Sequence, residues 1–300
     1  MSRSPFFSVV IPTYNCGELL KKALVSVFTQ TYQDFEIIVI DNSSTDNTKD
    51  VLKIFDKERL KVIELNNNGI IAISRNKGIE NAIGEWIAFL DADDIWIPEK
   101  LEKVRNTIID NSQAILFCHD EWYVVNGKRK NRLRYGPAVK NFYERLLFEG
   151  NCVSTSAVCL RRDIAINSCG FSERENFVTM EDYEYWIRLS ELGDFFFINE
   201  VLGEWHIHSS NYSSNAIIHA EAQIAVLEHH FNLWLNKFPS AQRQVILGRS
   251  KAWTLSSRIL QKGRIFSKAI QYAIKAICLN PFQWKAWGVL LLSLLRISIR

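Results

Sequence analysis

Carboxylates stand at three places in this 300-residue chain where an apolar run stops or starts. Asp91, Asp93 and Asp94 directly follow Trp86-Ile87-Ala88-Phe89-Leu90, Asp41 ends the run 35–40, and Glu181-Asp182 precede Tyr185, Trp186 and Leu189. Like charges this close repel, so a buried segment that ends in three acids calls for something positive beside it. Asp-x-Asp beyond a buried strand suits a hard divalent cation: Mg2+ or Mn2+ takes one or two protein carboxylates and completes its shell with water and substrate phosphates. Short Asp-x-Asp strings also arise by chance, and an aspartyl-phosphate phosphatase uses one too. That enzyme would carry it early in the chain, followed by Thr or Val, whereas Ile95 follows Asp94 here. A phosphate ligand also wants cations, and Ser74-Arg75-Asn76-Lys77-Gly78 offers Arg75, whose planar fork matches phosphate or a carboxylate. Glu181 and Asp182 read two ways. Acids in a first helical turn meet the helix dipole favourably, and one of them could take a proton as a general base.

Positioning such groups requires a scaffold, and the first half of the chain alternates strand and helix patterns. Residues 6–11, 35–40, 61–65 and 85–90 are apolar or β-branched runs that read as strands. Between them, Leu19, Leu20, Ala23, Leu24, Val27 and Phe28 recur at helical spacing, 47–55 reads as a helix capped by Thr45 or Asp46, 71–82 reads as a helix, and Pro98 opens another. Continuous apolar strands separated by helices predict an α/β fold with a mostly parallel sheet covered on both faces. In such sheets ligands bind beyond the carboxyl ends of the strands. Pro12-Thr13-Tyr14-Asn15, Asp41-Asn42-Ser43-Ser44 and Asp91-Ala92-Asp93-Asp94 all fall on that rim.

The stretches SVVIPTYN, QTYQDFEIIVIDNSSTDNT, SRNKGIENAIGEWIAFLDADD and MEDYEYWIRLSELG, in this order and spacing over about residues 5–210, resemble the inverting family 2 glycosyltransferases of GT-A fold. The resemblance implies transfer of a sugar from a nucleotide diphosphate, commonly UDP, to an acceptor hydroxyl, with Mn2+ or Mg2+ as cofactor. It implies that Pro12, Thr13, Tyr14 and Asn15 line the nucleotide pocket and that Asp41 bonds the base. Asn42 stands where the family usually has a second acid. Arg75 and Asn76 match the family's Arg-Asn pair near the nucleotide. Asp91 would face the ribose or the metal's waters, Asp93 would ligate the metal, and Asp94 is left to pair with Arg75 or cap the next helix. Asp182 matches the general base, with Glu181 positioning the acceptor, in a helix that Gly193 would end. His208 matches a histidine that completes the metal site, while His206 stands where arginine is commoner; the polar residues that follow suit a mobile lid. The sugar, the acceptor and the linkage depend on pocket shape and on region 119–155.

The net charge of +3 hides an asymmetry. Residues 229–300 hold twelve Lys or Arg and no Asp or Glu, leaving the first 228 residues with 24 basic against 33 acidic residues. We expect a GT-A catalytic domain over 1–215, with a nucleotide-binding half of about 5–118 and an acceptor half of about 119–215, followed by a basic all-helical extension over 216–300. The extension carries helical spacing over 216–235 and 241–261, a tetratricopeptide-like helix with Ala269, Ala273 and Ala276 on one face, and FQWKAWGVLLLSLLRISIR. One such unit cannot bury its own face and must pack on something else. The final uncharged stretch is too short to span a bilayer. It reads instead as an interfacial helix on an anionic membrane surface, with a core or dimer helix as the alternative. Nothing in the tail resembles a nucleic-acid platform. The six cysteines form no CxxC pair and read as buried, reduced thiols of a cytosolic protein. The N-terminus is too short in apolar residues for a signal peptide. These features together predict a cytoplasmic enzyme held peripherally on the inner membrane face, acting on a saccharide or lipid-linked acceptor. The alternative is an inactive nucleotide-sugar-binding protein or scaffold of the same fold, and intact Asp93 and Asp182 argue against it.

Overall fold

The structure, a computed structural model, describes residues 4–207 and 215–298. Two compact units divide the chain: Met1–Tyr143, Asn151–Ser172 and Tyr185–His208 form the first, and Glu144–Gly150, Glu173–Glu184 and Ser209–Arg300 the second.

The first unit is built on one sheet. Strands β1 (Phe7–Thr13), β2 (Phe35–Asp41), β3 (Leu60–Glu64) and β4 (Trp86–Phe89) are the expected apolar runs. They pair in parallel in the order β3-β2-β1-β4, with Thr13 opposite Asp41. The order then continues through β8 (Val158–Arg161), β6 (Leu116–Val125), β9 (Phe195–Ile207) and β5 (Ile95–Trp96), with β7 (Lys128–Leu133) on β6. β8 is antiparallel to both its neighbours, and β6 and β9 are parallel. Every residue of β1 is buried, as a strand covered on both faces demands.

Helices α1 (Gly17–Phe28), α2 (Thr48–Leu52), α3 (Ile71–Asn81), α4 (Lys100–Asp110) and α6 (Arg162–Asn167) accompany the sheet. The helix expected over 47–55 is shorter, and Asp46 supports its start by accepting from the Thr48 N–H at 3.0 Å. Pro98 lies just outside α4. Gly78 lets α3 lie directly on β1, because a Cβ there would stand 2.2 Å from Val10 Cγ1. Two helices cross the division between the units, α5 (Phe142–Glu149) and α7 (Glu181–Leu189). Gly193 does not end α7, which stops at Leu189. It gives room to Ile115, whose Cγ2 would stand 2.7 Å from a Cβ at that position.

The second unit holds α8 (Ala216–Lys237), α9 (Gln242–Lys262), α10 (Phe266–Leu279) and α11 (Trp284–Leu294). Asn215 caps α8, its side-chain oxygen accepting from the Ile217 and Ile218 N–H groups. The small stripe Ala269, Ala273 and Ala276 is fully buried, and Ser250 donates to the Ala276 carbonyl at 2.8 Å, so α9 and α10 approach closely. Trp253 and Tyr272 meet edge-on across the same pair. The tetratricopeptide-like helix therefore covers its face within this bundle. No helix among the described residues is long and apolar enough to cross a membrane. All six cysteines are free thiols, but only Cys118 and Cys159 are fully buried, and Cys169 and Cys278 are exposed, which corrects the expectation of uniform burial.

Replacing Gly78 with Ala is expected to push α3 off β1 and lower stability by about 1–3 kcal/mol, the range for overpacking a close contact. A lowered urea midpoint with an unchanged slope would report it.

Candidate active site

The rim of the first unit is organised by short polar contacts between loops. Pro12 and Thr13 are buried at the end of β1, while Tyr14 beyond them is 59% exposed. Asn15 adopts φ +47°, a conformation Asn tolerates better than most residues. It links two loops: its N–H donates to Ser44 Oγ at 2.9 Å and its carboxamide oxygen accepts from the Thr45 N–H at 2.7 Å. Asp41 is fully buried at the end of β2. Its Oδ1 accepts from the Ser44 N–H at 3.1 Å, and its Oδ2 has no hydrogen-bond partner among the described residues. A buried carboxylate oxygen left this way is costly unless a donor arrives. Asn42 holds the neighbouring turn, its Oδ1 accepting from the Asn67 N–H at 2.7 Å.

The acids after β4 are given separate tasks. Asp91 Oδ1 accepts from Arg75 on α3 at 2.8 Å, and the buried Arg75 guanidinium also lies over the Phe171 ring, 5.4 Å from its centroid. Asp94 is nearly inaccessible. It accepts from Ser156 Oγ at 2.5 Å and from the His206 N–H at 2.9 Å, tying the entry of β8 and the end of β9 to the acidic turn. Burial holds its carboxyl well above the usual range, reinforced by the charges of Asp93, Glu121 and Asp91. Asp94 therefore neither pairs with Arg75 nor caps a helix; Arg75 goes to Asp91. Asp93 is half-buried at the turn. Asn76 also bonds the Phe171 backbone: its Nδ2 donates to the Phe171 carbonyl at 2.9 Å and its Oδ1 accepts from the Phe171 N–H at 2.8 Å.

Sequence reasoning missed the polar floor supplied by β6. His119, Asp120 and Glu121 are all buried. Asp120 takes Arg132 at 2.7 Å and the Tyr135 N–H at 2.9 Å, and Glu121 accepts from the Tyr135 hydroxyl at 2.8 Å. Burial pushes the Glu121 carboxyl up to about 7, with the Asp91 charge adding to it and Lys100 opposing it. The buried Lys100 ammonium stands 3.2 Å from the Trp96 ring centroid and is pushed down to about 8 by desolvation. His119 is pushed down to about 3 by burial and then by Lys100, so its ring is neutral. The available signal was an unbroken His-Asp-Glu run inside an otherwise apolar strand.

Among the described residues, no three His, Cys, Asp or Glu side chains are gathered as a metal cage. Asp91 and Asp93 are the two half-buried carboxylates of the acidic turn, the number a divalent ion takes when a diphosphate completes its shell. The negative charge that raises Asp94 is the surplus such an ion would offset. His208 lies outside the described residues. His206 closes on Glu204, with Nε2 and Oε2 2.9 Å apart.

Glu181 and Asp182 belong to the second unit, at the start of α7. Glu181 is buried, while Asp182 is half-buried, and its Oδ1 accepts from the Tyr183 N–H at 2.6 Å. Tyr183 donates its hydroxyl to the Leu146 carbonyl. Just before the pair, Thr179 sits at φ +77°, a strained conformation for a β-branched residue. Its hydroxyl is 3.0 Å from His219 Nδ1 on α8. Burial lowers the His219 pKa against the opposing pull of the Asp182 charge, which keeps the imidazole neutral.

Comparison with known proteins gives a consistent result. The profile of "Glycosyl transferase family 2" matches residues 8–166, more than half of the chain. Among curated relatives, a putative teichuronic acid biosynthesis glycosyltransferase, TuaG of Bacillus subtilis (strain 168), is 31% identical over 214 residues, covering 70% of this chain and 82% of the relative. The UDP-Glc:alpha-D-GlcNAc-diphosphoundecaprenol beta-1,3-glucosyltransferase WfgD of Escherichia coli is 30% identical over 223 residues, covering 73% and 84%. Among solved structures, S. aureus TarS 1–349 in complex with UDP-GlcNAc superposes with a TM-score of 0.64 at 18% identity, covering 98% of this chain and 93% of that one. The mannosyltransferase PcManGT from Pyrobaculum calidifontis, in complex with GDP-Man and Mn2+, gives 0.61 at 16% identity, covering 98% and 86%. The structural likenesses show the GT-A fold, and the family match with two relatives at 30% identity or more shows that this chain belongs to glycosyl transferase family 2.

Proposed function

We propose that this protein is a metal-dependent, inverting glycosyltransferase that moves a hexose from a UDP-linked donor to an acceptor hydroxyl. The observation that carries this reading is the rim of the first unit, where the partnerless Asp41 Oδ2 and the Asp91–Asp93 turn stand on opposite sides of the end of β1. Two strand spacings, about 10 Å, separate β2 from β4, a span that fits a nucleoside with its base at one end and its diphosphate at the other. Asp41 accepts from the base, Pro12, Thr13, Tyr14 and Asn15 form the wall, and Asn42 fixes the adjoining turn. Arg75 orients Asp91, and Asn76 braces the Phe171 backbone behind it. Donor binding falls to about residues 5–118 and acceptor binding to about 119–215, with 216–300 as the helical extension.

Mn2+ or Mg2+ held by Asp93 and Asp91, with His208 as a third ligand, would supply positive charge to the departing diphosphate. PcManGT, named with Mn2+ and GDP-Man, supports divalent-metal use. Asp182 removes the proton of the acceptor hydroxyl as its oxygen bonds the anomeric carbon and the bond to the diphosphate breaks; attack from the opposite face inverts the configuration. Glu181 positions the acceptor. The names of TuaG and WfgD support an acceptor in surface-polysaccharide or lipid-linked glycan synthesis, at the cytoplasmic face of the membrane.

A thermal-shift screen of nucleotide sugars with and without Mn2+ tests the reading directly, since a bound donor stabilises the fold by linkage; no shift with any UDP-sugar would overturn it. Asp93→Ala is expected to remove the Mn2+-dependent part of nucleotide affinity in calorimetry. Asp182→Asn is expected to retain donor binding while transfer falls by about 10²–10⁴-fold, and near-normal turnover would mean that another group is the base. Thr179→Val, which removes the hydroxyl facing His219, should lower kcat without moving the donor KM, and Thr179→Ser should restore it. Equal kcat in the two variants would refute a role for that contact.

A further inference from the structure

Helix α11 has a buried face of small side chains and an exposed apolar face. Ala286, Val289 and Ser293 are buried in the bundle, as a surface helix requires. The other face is Trp284 (73% exposed), Trp287 (50%), Leu291 (60%) and Leu294 (62%), continued by Leu295 and preceded by Phe282, which is 91% exposed. At about 100° per residue, positions 284, 287, 291, 294 and 295 share an arc of about 100°, opposite the buried side. An ordinary surface helix puts charges there. Here the one charge within the helix, Lys285, lies on a flank of the exposed arc, and Arg296 follows in the turn beyond the helix end, at φ +54°. Contiguous exposed apolar side chains of this size mark a surface that meets something else.

The chemistry of that partner can be read from three features. The helix has eleven residues, about 16 Å of length at 1.5 Å per residue, roughly half a hydrocarbon core, so it lies along a bilayer rather than across it. Tryptophan and leucine are the residues that enter the headgroup boundary. The Trp287 indole N–H already donates to the Pro281 carbonyl at 2.9 Å, so the ring can leave water without stranding its donor. Charge separates a lipid surface from a second copy of the chain. Residues 229–300 carry twelve Lys or Arg and no acid, and Lys285 acts electrostatically on another cation, Lys251. A twofold interface brings the same patch against itself, setting the cations Lys285 and Arg296 against like charges with no acid among residues 282–300 to receive them. An anionic bilayer supplies the missing countercharge.

We propose that α11 is an interfacial anchor that docks on an anionic lipid bilayer, with Trp284, Trp287, Leu291 and Leu294 entering the headgroup boundary and Lys285 and Arg296 meeting the lipid phosphates. This docking goes beyond the catalytic reading and does not depend on it.

The test uses the full chain and vesicles of phosphatidylcholine with or without phosphatidylglycerol. Wild type is expected to sediment with the anionic vesicles at least about tenfold more tightly than with the neutral ones, and brominated anionic lipid should quench its tryptophan fluorescence. The Trp284→Ser/Leu291→Ser/Leu294→Ser variant changes only exposed positions. It should keep the wild-type Tm and lose both signals, and Lys285→Glu/Arg296→Glu should lose the preference for anionic lipid. The proposal is overturned if wild type stays in the supernatant unquenched, or if the triple serine variant sediments as wild type does. It is equally overturned if wild type sediments in the ultracentrifuge as a dimer that this variant dissolves, which would give the face to a second copy.

Discussion

Mutual repulsion among Asp91, Asp93 and Asp94 is the constraint on which the first unit's site depends. Two unit charges about 5 Å apart at an effective dielectric of about 20 repel by roughly 3 kcal/mol, enough to disorder a turn that carried three of them unmanaged. The fold answers by giving each acid a different environment. Asp94 is taken inside and held by a hydroxyl and a backbone N–H, with its proton favoured by burial. Asp91 is neutralised by Arg75. Asp93 is half-buried at the turn, and the proposed metal reading assigns the cation to it. A sequence motif of three similar residues thus becomes three chemically distinct groups.

That division depends on packing some distance away. Arg75 reaches Asp91 because α3 lies against β1, and α3 lies there because Gly78 presents no side chain to Val10. Asn76, one residue on, clamps the Phe171 backbone, and the Phe171 ring in turn lies under the Arg75 guanidinium. One turn of helix therefore carries the steric, the polar and the cation–π contact that together orient a single ion pair. Beneath it, Glu121, Lys100 and Trp96 form a floor in which an acid with its pKa near 7 and an amine near 8 share buried space.

The legible parts of the sequence were those in which one strand or helix carries its own signal. The three central parallel strands β1, β2 and β4 are largely apolar runs, and polar residues placed directly after them had to lie on the carboxyl rim. The Asn76 bonds to the Phe171 backbone were not legible, because that backbone is 95 positions away. The His119-Asp120-Glu121 floor is hidden in the sequence for the same reason: Lys100 and Tyr135, which make burial of those groups tolerable, lie on other segments. Gly193 looked like a helix stop because that is the commonest use of a glycine there, whereas its actual task is to admit Ile115. Nor does composition reveal that 144–150 and 173–184 join the C-terminal helices in one compact unit.

Thr179 sharpens this point for the proposed base. A β-branched residue at positive φ costs on the order of 1–3 kcal/mol, and glycine or asparagine would hold the same turn more cheaply. Neither places a hydroxyl against His219 Nδ1. The neutral imidazole and the threonine hydroxyl together fix the backbone three residues before Asp182, whose carboxylate is then braced by the Tyr183 N–H. Because Tyr183 is anchored in turn at the Leu146 carbonyl, the approach to α7 is held from both ends by side chains rather than by helix propensity alone. A general base must keep its carboxylate aimed while remaining half open to an acceptor, and a strained, doubly tethered turn meets both demands where a relaxed glycine turn would meet only the second.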